Sequence, residues 1–356
     1  MRLAKLSHLP ILLILVGVFS VQAFGTEAVE AVTNPVGIIQ VTALGDSDTL
    51  ISIPLKQPAV FNGVIGGLTA DTLTAEGSPG WAANEWAGSY YGFIRSGNVE
   101  GAYASIVSNT ADTLTLNGGG SPPEDLIEKD LGLLEDGPAL ADSVSIHPFW
   151  TLSSLFPDGA GVHESPSAAS RSSEIFIPAI AEGINNAADA TYYYLAGVWR
   201  KVGAALDADF GDTILYPDSY FILRNGIPSS TTVTFTGEVV MSGLSLPVVL
   251  GDTSEQDNPI GLQRPIEMTL NESGLSATFE AGDTLLIWDN ADPKQNRLAA
   301  DAGSYTWDGG KWIKDGVDVD VGDDAVFTPG LGFIVRKAAG GGLDEIDWSN
   351  LPNYGN

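Results

Sequence analysis

Acidic residues at short, repeated spacing are the first chemistry the chain offers. The pattern D-x-D-x-G-D occurs twice, as Asp207, Asp209, Gly211, Asp212 and as Asp318, Asp320, Gly322, Asp323, with Asp324 beside the second copy. Carboxylates two residues apart in a Gly-containing loop can converge on one hard cation, and calcium accepts about six to eight oxygens in flexible geometry. Ca2+ is therefore the one cofactor the sequence suggests, set against the simpler reading of an acidic hairpin loop without metal. The later Glu of an EF-hand loop is missing.

Aromatic residues are the second source of chemistry. The segment GWAANEWAGSYYGF at 80–93 gathers Trp81, Trp86, Tyr90 and Tyr91. Exposed rings there would stack on sugars or form a protein-binding patch. The competing reading has Trp81 and Trp86 closing the end of a β-barrel. In TYYYLAGVWRKVG at 191–203, Tyr192 and Tyr194 share one face of a strand and Tyr193 takes the other. Tyr193 alone is then left as a surface contact.

Catalytic constellations are not recognisable. His147 sits in the strand-like VSIHPFW and His163 in a polar stretch, and no G-x-S-x-G elbow is present. Nothing places a serine and an acid beside either histidine, as a hydrolytic triad requires. With 45 Asp+Glu no unique carboxylate pair stands out for glycoside hydrolysis. The chain reads as a non-enzyme.

The elements that would position these groups are strands. Gly 42, Pro 20, many short Val/Ile/Thr/Tyr/Phe runs and no long 3.6-period segment predict an all-β protein. Helix is expected only at Pro123 to Leu134 and in the Ala-rich approach to Trp86. Two identical TADTLT segments, at 69–74 and 110–115, read as Asp-Thr turns feeding half-buried strands. A larger repeat relates Thr191 to Gly203 with Ser304 to Gly316, and Gly211 to Arg224 with Asp323 to Arg336. It pairs Tyr192 with Tyr305, Tyr194 with Trp307, Trp199 with Trp312 and Phe221 with Phe333, so these rings are expected in the core.

The expected organisation is a signal peptide at 1–23, an N-terminal β-barrel or sandwich at 24–157 and a linker or long loop at 158–173. A duplicated β-sandwich or barrel follows at 174–338, with units at about 174–226 and 282–338. A Gly-rich hinge and extended tail complete it at 339–356. The expected leader rests on Arg2, Lys5, the apolar run after Leu9 and Val21-Gln22-Ala23. It predicts export to the periplasm, the cell surface or the exterior, with no transmembrane insertion after cleavage. Cysteine is absent, which removes disulfides and thiolate metal sites.

With 16 Lys+Arg against 45 Asp+Glu, the net charge of −29 excludes nucleic acid as a natural partner. Polysaccharide or other envelope proteins are the partner classes left.

Several segments together carry a resemblance: SDTLISIPL, SGNVEGAYASIVSNTADTLTL, VSIHPFWTLSSLFP, TYYYLAGVWRKVG, PDSYFILRN, DNPIGLQRP and GFIVRKA. The chain resembles a family of uncharacterised secreted, internally repeated β proteins common in verrucomicrobia-like bacteria. The resemblance implies export and an all-β fold; it supplies no activity and no catalytic residues. The expected function is an exported non-enzymatic component of the envelope, surface or extracellular matrix, or a binding module. The alternative is a protein that binds or cleaves polysaccharide through the Trp81 to Tyr91 segment.

Overall fold

Alternating apolar and polar residues build strands throughout, and the protein is all-β. The computed structural model describes residues 34–69, 71–117, 139–179, 181–342 and 345–355. The leader and the helix expected at Pro123 to Leu134 lie outside the described residues. The approach to Trp86 is a run of turns rather than a helix.

Two strands, β1 (Val36–Ala43) and β2 (Ser47–Ser52), come first. Six more follow: β3 (Phe61–Leu68), β4 (Thr72–Ala75), β5 (Tyr90–Ile94), β6 (Tyr103–Asn109), β7 (Thr113–Leu116) and β8 (Ser143–Pro148). They close a barrel in the order β3-β4-β7-β6-β5-β8. The two TADTLT copies are neighbours in it, with Thr72 opposite Thr115, Leu73 opposite Leu114 and Thr74 opposite Thr113. Each is entered through the same turn, in which Thr69 or Thr110 accepts from the backbone N–H of Thr72 or Thr113. Leu73, Ile94, Ala104, Ile106, Leu114 and Ile146 fill the barrel.

After the barrel come β9 (Trp150–Thr151), the one-turn α1 (Leu152–Leu155), β10 (Ser173–Ile177), β11 (Ala190–Leu195), β12 (Val198–Lys201), β13 (Ile214–Leu215), β14 (Tyr220–Asn225) and β15 (Thr231–Glu238). The last group is β16 (Leu244–Val249), β17 (Gln256–Gly261), β18 (Thr284–Ile287), β19 (Gly303–Trp307), β20 (Trp312–Lys314), β21 (Val317–Asp320), β22 (Gly332–Lys337) and β23 (Glu345–Asn350). One sheet runs β12-β11-β10-β14-β2 and another β21-β20-β19-β18-β22-β17, flanked by the two-stranded ribbons β1-β15 and β16-β23. The 24–157 stretch thus divides: β3 to β8 make the barrel, whereas β1 and β2 pair with β15 and β14.

The two larger sheets correspond position by position. Tyr194 faces Trp199 across one hairpin and Trp307 faces Trp312 across the other. Ile51 opposes Phe221, and Ile260 opposes Phe333. These rings lie in two separate cores, one containing Tyr192, Tyr194, Trp199 and Phe221, the other Tyr305, Trp312, Phe333 and Trp348. Full burial of one such side chain contributes about 1.5–3 kcal/mol, which makes these cores the main source of stability. The outer face of the barrel, through Tyr91, Phe93 and Tyr103, joins the second core.

Where the sheets meet, the contacts are reciprocal. Ser52 N–H donates to Gly330 O at 3.0 Å, and Gly261 N–H, at the corresponding position, donates to Asp218 O at 2.9 Å. A Cβ on Gly261 would fall 2.5 Å from Ser219 O, so only glycine permits this approach. Asp48 holds Arg224 through two bonds of 2.7 Å, and Asp257 holds Arg336 at 2.6 and 3.0 Å. Each pair also grips an asparagine from a loop of the other half. Asn296 N–H donates to Asp48 and Asn185 N–H donates to Asp257, while the two arginines donate to the same asparagines' side-chain oxygens. Both asparagines have φ near +55°, a left-handed conformation that Asn tolerates better than most residues.

Candidate functional site

The residues singled out by sequence do not assemble into one site. Trp81, Trp86 and Tyr90 pack edge to face in a chain that starts at Phe61, with centroid separations of 4.9, 6.4 and 5.0 Å. They belong to the barrel's hydrophobic cluster, and Trp86 is 9 % exposed. Asn109 fastens this plug by accepting from Trp86 N–H and donating to Ala82 O. Rings set perpendicular to one another give no flat sugar platform. Tyr91, one residue further along β5, points to the opposite face, where it stacks on His147 at 5.5 Å and packs on Phe149. Tyr193 is 2 % exposed with the Arg171 guanidinium over its ring, so the surface contact expected there is instead a packed side chain.

In the aspartate loops the carboxylates are held by their own turns or by neighbouring side chains. Asp209 and Asp320 each accept from the backbone N–H two residues on, at Gly211 and Gly322, both at 2.9 Å. Asp318 pairs with Lys311, and Asp323 accepts from Asn271. Asp207, Asp212 and Asp324 are exposed. Among the described residues no three acidic or histidine side chains converge as a metal site. The spacing that suggested calcium serves two turns whose glycine is held by the preceding aspartate.

A different group of residues does converge. Where the barrel meets the β1-β15 ribbon, a cleft of about 290 Å³ is lined by Lys56, Arg95, His147, Glu238, Glu100 and Asn62, among others. Lys56 follows β2 and is fixed by a reciprocal backbone bridge to Glu238 at the end of β15, with bonds of 3.0 and 2.8 Å. Arg95 comes directly after β5, Asn62 from β3 and His147 from β8. The barrel strands and the β5-β6 loop therefore deliver Asn62, Arg95, Glu100 and His147, the ribbon Glu238, and the segment after β2 Lys56.

The electrostatics are unusual for so acidic a chain. Lys56 is 4 % exposed, and its amino group lies 3.8 Å from the centroid of the Phe93 ring. Burial pushes it down to about 7; nearby Glu238 opposes this, and Arg95 and Arg264 reinforce it. His147 donates through Nδ1–H to Gln57 O and accepts at Nε2 from the Ser145 hydroxyl, both at 2.8 Å, the tautomer that suits both partners. Burial first, and the Lys56 charge second, hold it well below the usual imidazole range, so it is neutral at pH 7.

Hydrogen bonds in the cleft are unevenly distributed. Glu238 accepts from Asn34 and from Ala59 N–H, both at 3.1 Å, and Glu100 accepts from Gly243 N–H at 2.7 Å. The Lys56 amino group opens to the cleft, with the Phe93 ring as its side-chain contact, and the enclosed Arg95 Nε has no hydrogen-bond partner. Both carboxylates are engaged while both cations keep unused donors. An arrangement of this kind can bind an acceptor-rich ligand, and an amine near neutral pKa can also exchange protons.

Sequence reasoning missed Lys56, Arg95 and Glu238 and treated His147 as a strand residue. One signal was available: the alignment of SDTLISIPLKQP with DNPIGLQRP, which places Lys56 beside Arg264. Arg264, one position from the place that corresponds to Lys56, is 2 % exposed and fully engaged with Asn350, Val240 O, Ser242 O and Tyr354. Comparison of the chain with family models, curated proteins and solved structures returned no match.

Proposed function

We propose that this chain is an exported, non-enzymatic β protein that acts as a binding module of the cell envelope or outer surface, with the Lys56 cleft as its ligand site. The observation that carries this reading is the buried Lys56 amino group, which faces a cleft whose own carboxylates already have donors. Leaving such a group without a partner is costly, and functional sites are where that cost is commonly retained. The corresponding registers of the two large sheets support descent from one duplicated unit, with the barrel inserted in the first copy. Polysaccharide and other envelope proteins are the partner classes consistent with an acidic exported surface.

The alternative of a polysaccharide-binding or cleaving protein working through the Trp81 to Tyr91 segment loses its motivation, because those rings pack on one another. A sugar ligand would enter the Lys56 cleft instead. The test is a thermal-shift screen of metabolites and oligosaccharides on the chain from Phe24 onward, repeated with Lys56→Met. Ligands whose stabilisation disappears in the variant are expected; a screen in which every hit stabilises both proteins equally overturns the assignment of the site.

A further inference from the structure

Taking the Lys56 cleft as the ligand site, we infer that it recognises an oxyanion group, a carboxylate, sulfate or phosphate, held between the Lys56 amino group and the Arg95 guanidinium. The inference deepens the binding-module reading and rests on it.

Three buried cations distinguish themselves among the described residues, namely Lys56, Arg264 and Lys337. Lys337 is paired with Asp283 and donates to Thr278 O, and Arg264 has five oxygen partners. Lys56 has only the face of Phe93. That ring supports one side of the ammonium and leaves its N–H groups to the cleft. Arg95 lines the same space, and its enclosed Nε has no hydrogen-bond partner.

Whatever enters must therefore bring acceptors. A neutral hydroxyl could accept one bond, but it would leave the repulsion between Lys56 and Arg95, which Glu238 offsets, without further relief. An oxyanion accepts from both groups and brings them a charge of opposite sign, and hydrogen bonds of that kind are about twice as strong as neutral ones. Asn62, with no hydrogen bond of its own among the described residues, adds a further donor at the rim. The existing carboxylates supply charge but no acceptor to these cations: Glu238 favours both charged forms yet accepts from Asn34 and Ala59 N–H, and Glu100 accepts from Gly243 N–H.

The net charge of −29 opposes anions at long range. Screening confines that field to roughly 8 Å at physiological salt, so recognition acts at contact and selects a ligand that fits. A single oxyanion at the end of a small molecule or a sugar chain suits a cleft of about 290 Å³. Extended polyanions do not.

The experiment is competitive labelling of Lys56 by an acylating reagent, read by mass spectrometry, at fixed ionic strength. Sodium phosphate, sodium sulfate, galacturonate and galactose are the probes, and thermal shift with the same four runs in parallel. At least one oxyanion should slow Lys56 labelling about tenfold or more, saturably, and raise the pH midpoint of labelling. Arg95→Gln should remove that protection, and galactose should give none.

Protection by phosphate or sulfate alone assigns a tetrahedral anion; protection by galacturonate alone assigns a sugar carboxylate. Equal protection by galactose and galacturonate overturns the oxyanion inference and leaves the binding site in place. Unchanged protection in Arg95→Gln overturns the paired-cation geometry. If no probe changes either Lys56 labelling or the melting temperature, the inference falls; the screen with Lys56→Met then decides separately whether the cleft binds anything.

Discussion

Lys56 and Arg264 occupy related places, each a few residues beyond the strand that carries the Asp of an Asp-Arg pair, and each is almost fully buried. Arg264 spends its guanidinium on Asn350, on the carbonyls of Val240 and Ser242, and on the Tyr354 hydroxyl, tying the C-terminal strand to the body. Lys56 has an aromatic face and a cleft. At the other end of the same strands the halves agree, with Asp48-Arg224 gripping Asn296 and Asp257-Arg336 gripping Asn185. Features that match in both halves serve the scaffold; the feature that differs is where the proposed ligand site lies. The barrel, present in one half only, supplies Phe93, Arg95 and His147 and so creates the difference.

The comparison is broken most directly by removing each cation. Arg264→Met leaves buried carbonyls and an amide without donors and should cost about 3–5 kcal/mol in urea unfolding, with partial loss of folded protein at 37 °C. Lys56→Met removes a charge whose burial outweighs the attraction of Glu238 and should be neutral or stabilising at pH 7. If Lys56→Met is as damaging as Arg264→Met, the two residues are equivalent and the cleft is a structural feature.

Titration sharpens the contrast. The Lys56 amino group is depressed in the folded state from its ordinary 10.5 to about 7, with Glu238, Arg95, Arg264 and His147 as its charged or titratable neighbours. Between those values the unfolded chain binds the extra proton, so stability rises as pH rises from 7 to 10.5 and the penalty is fully present below 7. By linkage the swing is on the order of 5 kcal/mol at most, and it should be absent from Lys56→Met. His147, whose folded value is also depressed, acts in the same direction at lower pH: stability falls as pH drops below about 6.5, where the unfolded histidine takes up a proton. Urea unfolding of both proteins from pH 5 to 10 measures each part. A wild-type curve parallel to that of Lys56→Met above pH 7 contradicts the buried-amine account.

The matched clasps give a smaller and symmetric effect. Asp48→Asn and Asp257→Asn each remove a charge-assisted pair that also holds the opposite half's asparagine loop, and each should cost about 1.5–3 kcal/mol. Because the clasps share no residue, the double variant should be close to additive. A cost confined to one clasp would show that the correspondence is geometric without being energetic.

Much of the scaffold was legible because local pattern encodes it. The alternation in TLTL and TLTA defines strands, and Tyr192, Tyr194 and Trp199 are core because the related hairpin keeps large aromatics at those positions. Long-range pairing left no such trace. Nothing local in VGIIQVTA or SDTLIS says that they pair with 231–238 and 220–225, across the whole barrel. The cleft is illegible for the same reason, since Lys56, Arg95, His147 and Glu238 come from four separate stretches and meet only through that pairing. Spacing misled where it was strongest. A run of aspartates looks alike whether it surrounds an ion or holds a glycine turn, and only the direction of the side chains separates the two.

The aspartate loops therefore supply the weakest effect and a control for the whole comparison. They correspond between halves, as the clasps do, but their carboxylates diverge into solvent or accept from their own turn. Asp209→Asn and Asp320→Asn preserve an acceptor for the Gly211 and Gly322 N–H groups and should change stability by no more than about 0.5 kcal/mol. Calcium addition and chelation should move the melting temperature equally little in both variants and the parent. A stabilisation by calcium that vanishes in Asp320→Asn would mean that these carboxylates gather around a cation after all, and that correspondence between the halves marks ligand sites as well as scaffold.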